Sequence, residues 1–591
     1  MCRQASDFER RQRRAIIAAA LFVGLLLAAL GGRLVHIHTM LSPKLTAMLE
    51  AQQQSRSVIP ARRGMIHDAR GRVLAGSRLL YGVFADPTRI ERLDQAARQV
   101  AAILNLEAGE VEDRIRHGSS PRFRWLAHRV APAEAEAVRQ ADIPGVGLID
   151  EPVRHYALGP TMAQVLGFVG DDGIGLEGLE LACDRFLSGR DGHVWTVRDA
   201  RRRPIRQSED LDRCGEQPRD GGHVVLTLDA VIQGVLEKHL ASQAGQFQAE
   251  DGFGVVMDPR TGDVLAMACH PTFDPNNYAD FPRQTWRNRV VTDMVEPGST
   301  FKPFVASGAL VAGIVALDEK IYCHDGLYVT GRRRLHDASP HGKMTFEEIV
   351  SRSSNIGMAI IGQRMGNPAI HEIVRRFGFG QPTGIDFPGE APGNVLPLSQ
   401  WTSYSTTSVP MGQEIAVTPL QLITAFCAII NDGVLLRPRL IRAFLSPDGR
   451  VLEEFTGPDP ARRVLPTEVA GYLSQQVLVK VVNGGTGRRA ALAEYQVLGK
   501  TGTAQVPYED RRGYEPDAYL GSFLGAAPAE DPRVAVLVMI KRPNPRLGYY
   551  GGVIAAPAVR EILAEALAYL QVPATTRKVA AVRLRPTASP L

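Results

Sequence analysis

Lysine is scarce in this sequence: of 68 basic side chains only nine are lysine, against 59 arginines. Arginine stays protonated at any working pH, whereas a buried lysine can give up its proton. A chain that avoids lysine but keeps one at a particular spot is keeping a titratable amine there. Cysteine is sparse too, with six residues at 2, 183, 214, 269, 323 and 427 and no close pairs. That spacing gives no metal cluster and no disulfide framework; a bridge such as Cys183–Cys214 is permitted, but nothing requires it. The net charge of +5 is small and spread over 591 residues, so composition gives no case for nucleic-acid binding.

One stretch is long enough to approach a bilayer core. Ala15 to Gly32 is an uncharged apolar run of eighteen residues, and Leu34 to Ile37 can extend it. Arg10, Arg11, Arg13 and Arg14 precede it, which places the N-terminus in the cytoplasm and the rest of the chain outside. Ala29-Leu30-Gly31 resembles a signal-peptide cleavage site, but the length of the run favours an uncleaved anchor. Cys2 lies on the wrong side of the run to be a lipoprotein cysteine.

The length allows two or more domains. Residues 1–14 read as a cytoplasmic N-terminus, 15–37 as a transmembrane anchor and 38–220 as an elongated non-catalytic module with helical patterns at Glu91–Leu106 and Ala133–Gln140. Residues 221–574 read as an α+β domain, and the basic, proline-containing 575–591 as a disordered tail. Within the α+β domain, Val224–Leu228 reads as a strand, Phe253–Asp258 and Asp263–Cys269 as a hairpin, and 496–506, 519–526 and 533–541 as further strands. A helix over Ile554–Leu570 closes the domain. Strands split by a mostly helical insert predict one antiparallel sheet, roughly five strands wide, drawn from both ends of the domain.

Three short motifs carry the chemistry. Ser299-Thr300-Phe301-Lys302 is the only S-x-x-K in the chain. Pro297-Gly298 reads as a turn and the apolar run from Phe301 to Val311 as a helix, so positions 299 and 302 share one face and the amine can reach the hydroxyl. A serine in a first helical turn also sits among outward-pointing N–H groups. Ser353-Ser354-Asn355 falls inside the helical pattern Thr345–Met365, where such side chains compete with the backbone for hydrogen bonds. Alone, it reads better as an N-cap or a solvated patch. Lys500-Thr501-Gly502-Thr503 lies in an alternating segment that reads as a strand, with Gly502 open to close approach by a ligand backbone. In the order S-x-x-K, S-x-N, K-T-G, the set supplies a nucleophile, a base, a relay hydroxyl, an amide and a cationic anchor. That is the signature of serine acyl transfer on D-alanyl peptides or β-lactams.

Other fragments resemble motifs without completing them. Gly499-Lys500-Thr501 would end a phosphate-binding loop, but Glu494 stands where that loop needs glycine. Gly173 to Gly178 fits G-x-G-x-x-G with no strand–turn–helix context around it. His371-Glu372 opens like a zinc-protease motif, but Arg375 replaces the second histidine. No nucleotide, dinucleotide or metal cofactor follows.

With these residues in place, the chain resembles the class B penicillin-binding proteins, the monofunctional peptidoglycan transpeptidases. Arg63-Gly64 to Ala75, Gly175 to Glu180 with Leu187-Ser188-Gly189, Glu296 to Pro303, Gly412-Gln413 with Thr418 to Gln421, and Lys500 to Gln505 are similar to the family's segments in order. Ala69 and the His155-Tyr156-Ala157 stretch depart from its usual pattern. Tyr81 to Pro87 and Thr196 to Ala200 look most like the division (septal) branch.

The resemblance implies an N-terminal anchor, a pedestal of the dimerisation type, and a transpeptidase domain with a five-stranded antiparallel sheet and a helical subdomain. It implies that Lys302 deprotonates Ser299, Ser353 relays a proton, Asn355 holds the substrate amide, Lys500 balances charge, and Thr501 and Thr503 bind a carboxylate. It also implies D-Ala-D-Ala stem peptides and β-lactams as ligands, and a membrane glycosyltransferase and division proteins as partners. An elongation-type transpeptidase or a D,D-carboxypeptidase is the alternative enzyme. A β-lactamase fits less well, given the anchor and the long first module. A β-lactam sensor or division scaffold is the non-enzyme alternative.

Overall fold

A computed structural model of the chain describes residues 2–41, 54–117, 123–198, 204–206, 215–457, 460–508 and 510–575. Two units emerge: residues 1–61 with 190–220, and residues 62–189 with 221–591.

In the first unit, helix α1 (Cys2–His36) contains the apolar run, whose leucines are exposed. The helical stretch Arg10–Thr39 is long and apolar enough to cross a membrane. The strand Gln54–Ile59 pairs antiparallel with Gly192–Arg198, which also pairs with Pro204–Arg206 and Gly215–Glu216. Cys214, residues 199–200 of the septal-type segment and the tail from 576 lie outside the described residues.

In the second unit, the helices Leu93–Leu104 and Pro132–Gln140 appear close to their expected places. They pack with Ala108–Arg116 over a small core of Val83, Val100, Val111, Ile115, Leu126 and Val138. A buried ion network ties this region together. Glu180, fully buried, accepts from Arg63 Nε at 2.7 Å and Arg154 Nε at 2.6 Å, while Arg63 Nη1 reaches Asp184 at 2.7 Å.

The main sheet of the catalytic region has five strands: β1 (Asp251–Met257), β2 (Val264–His270), β3 (Leu498–Pro507), β4 (Tyr514–Ala527) and β5 (Val534–Lys541). Their order is β2-β1-β5-β4-β3, all antiparallel. Both faces are covered, so β5 reads as a continuous apolar run. Its Val536, Val538 and Ile540 meet helices α2 (Ala230–Gln246) and α6 (Ala556–Tyr569), while Leu537 and Met539 face the other core, as a period of two requires. On that second face lie α3 (Lys302–Val311), α4 (Asn355–Arg376) and the wholly buried α5 (Pro419–Ile430). Two-stranded ribbons accompany these helices, among them Leu327–Thr330 with Arg333–His336.

The strand at 224 does not join the main sheet. His223–Leu226 runs parallel to Ile66–His67 and antiparallel to Ile441–Leu445, inside a seven-stranded sheet shared by residues from both sides of position 220. Pairing partners so distant in sequence leave no local trace.

Candidate active site

Ser299 sits in a 3₁₀ turn, Gly298–Phe301, that runs directly into α3. The turn is built tightly. Thr300 Oγ1 donates to Pro297 O at 2.6 Å, and Gly298 N donates to Gly412 O at 3.1 Å. Gly412 has φ +78°, and a Cβ there would stand 2.1 Å from Gly298 O. Only glycine allows this approach against the back of the Ser299 turn.

One helical turn on from Ser299, Lys302 is fully buried. Its ammonium donates to Ser353 O at 2.6 Å, Ser353 Oγ at 3.2 Å and Asn355 Oδ1 at 2.8 Å. The helix spacing therefore points the lysine to the right face, but its hydrogen bonds go to the S-x-N turn rather than to Ser299. The third motif converges on the same hydroxyl. Lys500, also fully buried, donates to Ser353 Oγ at 2.8 Å and to Thr501 O at 2.9 Å.

Ser353-Ser354-Asn355 is not mid-helix. The helix Phe346–Ser351 ends just before it, and Ser353 takes a left-handed conformation with φ +62°. Ser354 caps α4, accepting from Gly357 N at 2.9 Å. The poor helix propensity of the triplet is thus resolved by breaking the helix, and the break aims Ser353 Oγ at two amines. A neutral hydroxyl can donate one proton and accept two, so this arrangement can pass a proton between the amines and a third group.

The third motif lies on β3, the edge strand of the sheet. The space beside the Gly502 Cα is filled from within the fold. A Cβ there would lie 2.3 Å from Ser522 Oγ, 2.8 Å from Thr300 Cγ2 and 3.1 Å from Pro297 O, so its bareness lets the strand pack against the Ser299 turn. Thr501 Oγ1 hydrogen-bonds Thr486 Oγ1 at 2.6 Å, and Thr503 Oγ1 accepts from Gly551 N at 3.2 Å.

Burial holds the Lys302 ammonium down at about 7, with the Asp337 carboxylate pulling the other way. Burial also pushes Lys500 well below the usual lysine range, and the nearby Lys302 charge adds to the effect. Two buried amines sharing one oxygen cannot both stay charged without penalty. The pairing therefore favours the neutral form of at least one of them.

Two neighbours of the site carry no motif. Asp337 accepts from Ser354 Oγ, Asn355 N and Ile356 N, and Thr486 backs Thr501. Of the motif fragments set aside, Gly499-Lys500-Thr501 is strand rather than loop. Arg375 donates to Phe379 O at 3.1 Å and Gly380 O at 3.0 Å at the end of α4, a structural task.

Residues 252–564 match the model of the penicillin-binding protein transpeptidase domain, and residues 58–226 that of the penicillin-binding protein dimerisation domain. The chain is 33% identical over 567 residues to the Pseudomonas aeruginosa protein named "Probable peptidoglycan D,D-transpeptidase PbpC", covering 96% of each. It is 31% identical over 521 residues to peptidoglycan D,D-transpeptidase FtsI of Escherichia coli, covering 87% of this chain and 84% of that one. Among solved structures, penicillin-binding protein 3 of Mycobacterium tuberculosis in complex with aztreonam aligns with a TM-score of 0.67 at 29% identity, over 88% of this chain and 99% of that one.

Proposed function

The chain belongs to the penicillin-binding protein family, as one of its class B peptidoglycan D,D-transpeptidases, and on that premise we propose that Ser299 is its nucleophile and Lys302 its base. The observation that carries this assignment is the convergence of two buried lysines on Ser353 Oγ beside the only S-x-x-K of the chain.

Lys302, uncharged in part at neutral pH, takes the proton of Ser299. Ser299 Oγ then attacks the carbonyl of the penultimate D-alanine of a stem peptide, and the oxyanion that forms is held by the N–H groups of Ser299 and Thr503. Each such donor is commonly worth about 3–4 kcal/mol. Ser353 passes a proton to the departing D-alanine amine, with Lys500 behind it to set the charge. The C–N bond breaks, leaving the stem peptide esterified to Ser299. An amine of a neighbouring stem peptide attacks that ester, releases Ser299 and completes the cross-link. Asn355 orients the substrate amide, and Thr501 and Thr503 bind the terminal carboxylate. β-Lactams acylate the same serine.

The arginines that precede the apolar run of α1 support an N-terminus in the cytoplasm and catalysis outside it. Similarity to the FtsI protein supports action at the division septum, and that reading implies division proteins and a separate membrane glycosyltransferase as partners.

Labelling membranes with fluorescent penicillin tests the core assignment: the wild type labels and Ser299→Ala does not. Equal labelling of the two removes Ser299 from its role. A thioester donor offered with a D-amino acid acceptor separates transfer from hydrolysis, and release of free acid alone indicates the carboxypeptidase alternative.

A further inference from the structure

Asp337 follows the ribbon Leu327–Thr330/Arg333–His336, and no motif points to it. Its carboxylate collects three donors from three consecutive residues: Ser354 Oγ at 2.6 Å, Asn355 N at 2.5 Å and Ile356 N at 3.1 Å. The same end of the ribbon holds the Asn355 side chain, whose Nδ2 donates to His336 O at 3.0 Å. The carboxylate makes no ion pair with Lys302 or Lys500 among the described residues.

What these contacts fix is the turn at Ser353. A non-glycine residue at φ +62° is strained, so its surroundings must over-determine it. Upstream, Ser353 N and Ser354 N donate to Val350 O and Ile349 O at the end of the preceding helix. Downstream, Asp337 binds Ser354 and the first two amides of α4. The turn is thus clamped from both sides, by backbone upstream and by the Asp337 carboxylate downstream, while the Lys302 amine binds Ser353 O between them.

We propose that Asp337 is a positioning residue for the transfer reaction, holding the Ser353–Asn355 turn so that one hydroxyl lies between two amines. This rests on Lys302 and Ser353 acting as described above. The carboxylate also sets the field at Lys302, where it favours the ammonium. The groups facing Lys302 are Lys500 across Ser353, and Asp337 behind Asn355. Other charged groups on the elements around it have partners of their own, Arg352 lying 3.9 Å from Glu348. Glu347 binds Tyr472 and Lys480, Glu348 serves the Thr345 cap, Glu296 accepts from Tyr514 and the Glu414 amide, and Arg333 donates to Thr407, Ser408 and Gln413.

Acylation rates by fluorescent penicillin, measured against pH on the full chain, test this in wild type, Asp337→Asn and Asp337→Ala. An asparagine side chain can still accept from both amides and donate to Ser354 Oγ, so the turn survives but the negative charge is gone. The neutral, basic form of Lys302 then persists to lower pH. The acid limb of the Asp337→Asn profile is expected about one pH unit below the wild-type limb. A merely structural residue would slow the reaction without moving the limb. Asp337→Ala is expected to lower the plateau rate by roughly tenfold or more, since it frees the turn. Thermal melts show how much of each variant is folded, and the near-isosteric asparagine keeps the test alive if the alanine variant unfolds. An Asp337→Asn limb that coincides with wild type, or an Asp337→Ala plateau equal to wild type, overturns the proposal. A wild type with no acid limb at all overturns the Lys302 assignment, and this proposal with it.

Discussion

Replacing Gly412 with alanine probes the nucleophile turn from behind, through a residue that touches no reacting group. The added Cβ would lie 2.1 Å from Gly298 O, 2.7 Å from Gly298 N and 2.8 Å from Gly298 C, all backbone atoms. Relieving the overlap requires the turn or its neighbour to move by about 1 Å, and overpacking of that kind costs about 1–3 kcal/mol. The positive φ adds about 1–2 kcal/mol for any residue with a Cβ. The sum, roughly 2–5 kcal/mol, leaves a folded protein but displaces Ser299, and a 1 Å misplacement at a reacting centre can slow chemistry on the order of a hundredfold. Gly449→Ala is the matched control. It has φ +84° in an exposed hairpin turn, and nothing lies within 4 Å of its would-be Cβ. Gly449→Ala therefore isolates the backbone penalty, and its acylation rate should equal the wild type's. Penicillin acylation rates together with melting curves read both effects. A Gly412→Ala protein that acylates at the wild-type rate would refute the claim that this contact sets the position of Ser299.

Two further predictions address other layers of the molecule. Acylation should fall as pH drops through about 7, approaching tenfold per unit below it, because protonated Lys302 cannot accept the Ser299 proton. A rate profile that stays flat between about pH 5.5 and 8 would contradict that reading of the amine. Glu180→Gln should destabilise the chain by about 3–5 kcal/mol in thermal or denaturant unfolding, since it leaves Arg63 and Arg154 buried without their shared carboxylate. Acylation per folded molecule should be unchanged in that variant, and a large loss there would place the network in the catalytic machinery instead.

What could be read from the sequence was what depends on neighbours along the chain. Alternation placed Lys500 to Thr503 on a strand, and the apolar run after Ser299 gave a helix with Lys302 one turn on. Contacts set by the tertiary fold were not legible. The i, i+3 spacing brings Lys302 to the face of Ser299, yet the ammonium is bound by a turn some fifty residues later, a pairing no periodicity encodes. The packing of Gly502 against Ser522 and Thr300 was hidden, because those neighbours come from other elements. Asp337 was invisible for the same reason: an aspartate after a ribbon is ordinary until the amides it holds are known.

The parallel pairing of Ile66–His67 with His223–Leu226 has a practical consequence. A chain cut near residue 220 to isolate the catalytic part would leave His223–Leu226 bonded only to Ile441–Leu445, with its other side bare. An unpaired backbone edge of that kind recruits other chains, so such a fragment should aggregate where the longer chain does not. The catalytic region is not a detachable cassette. Any pull or twist applied to residues 62–189 reaches it through a hydrogen-bonded sheet rather than through a slack linker.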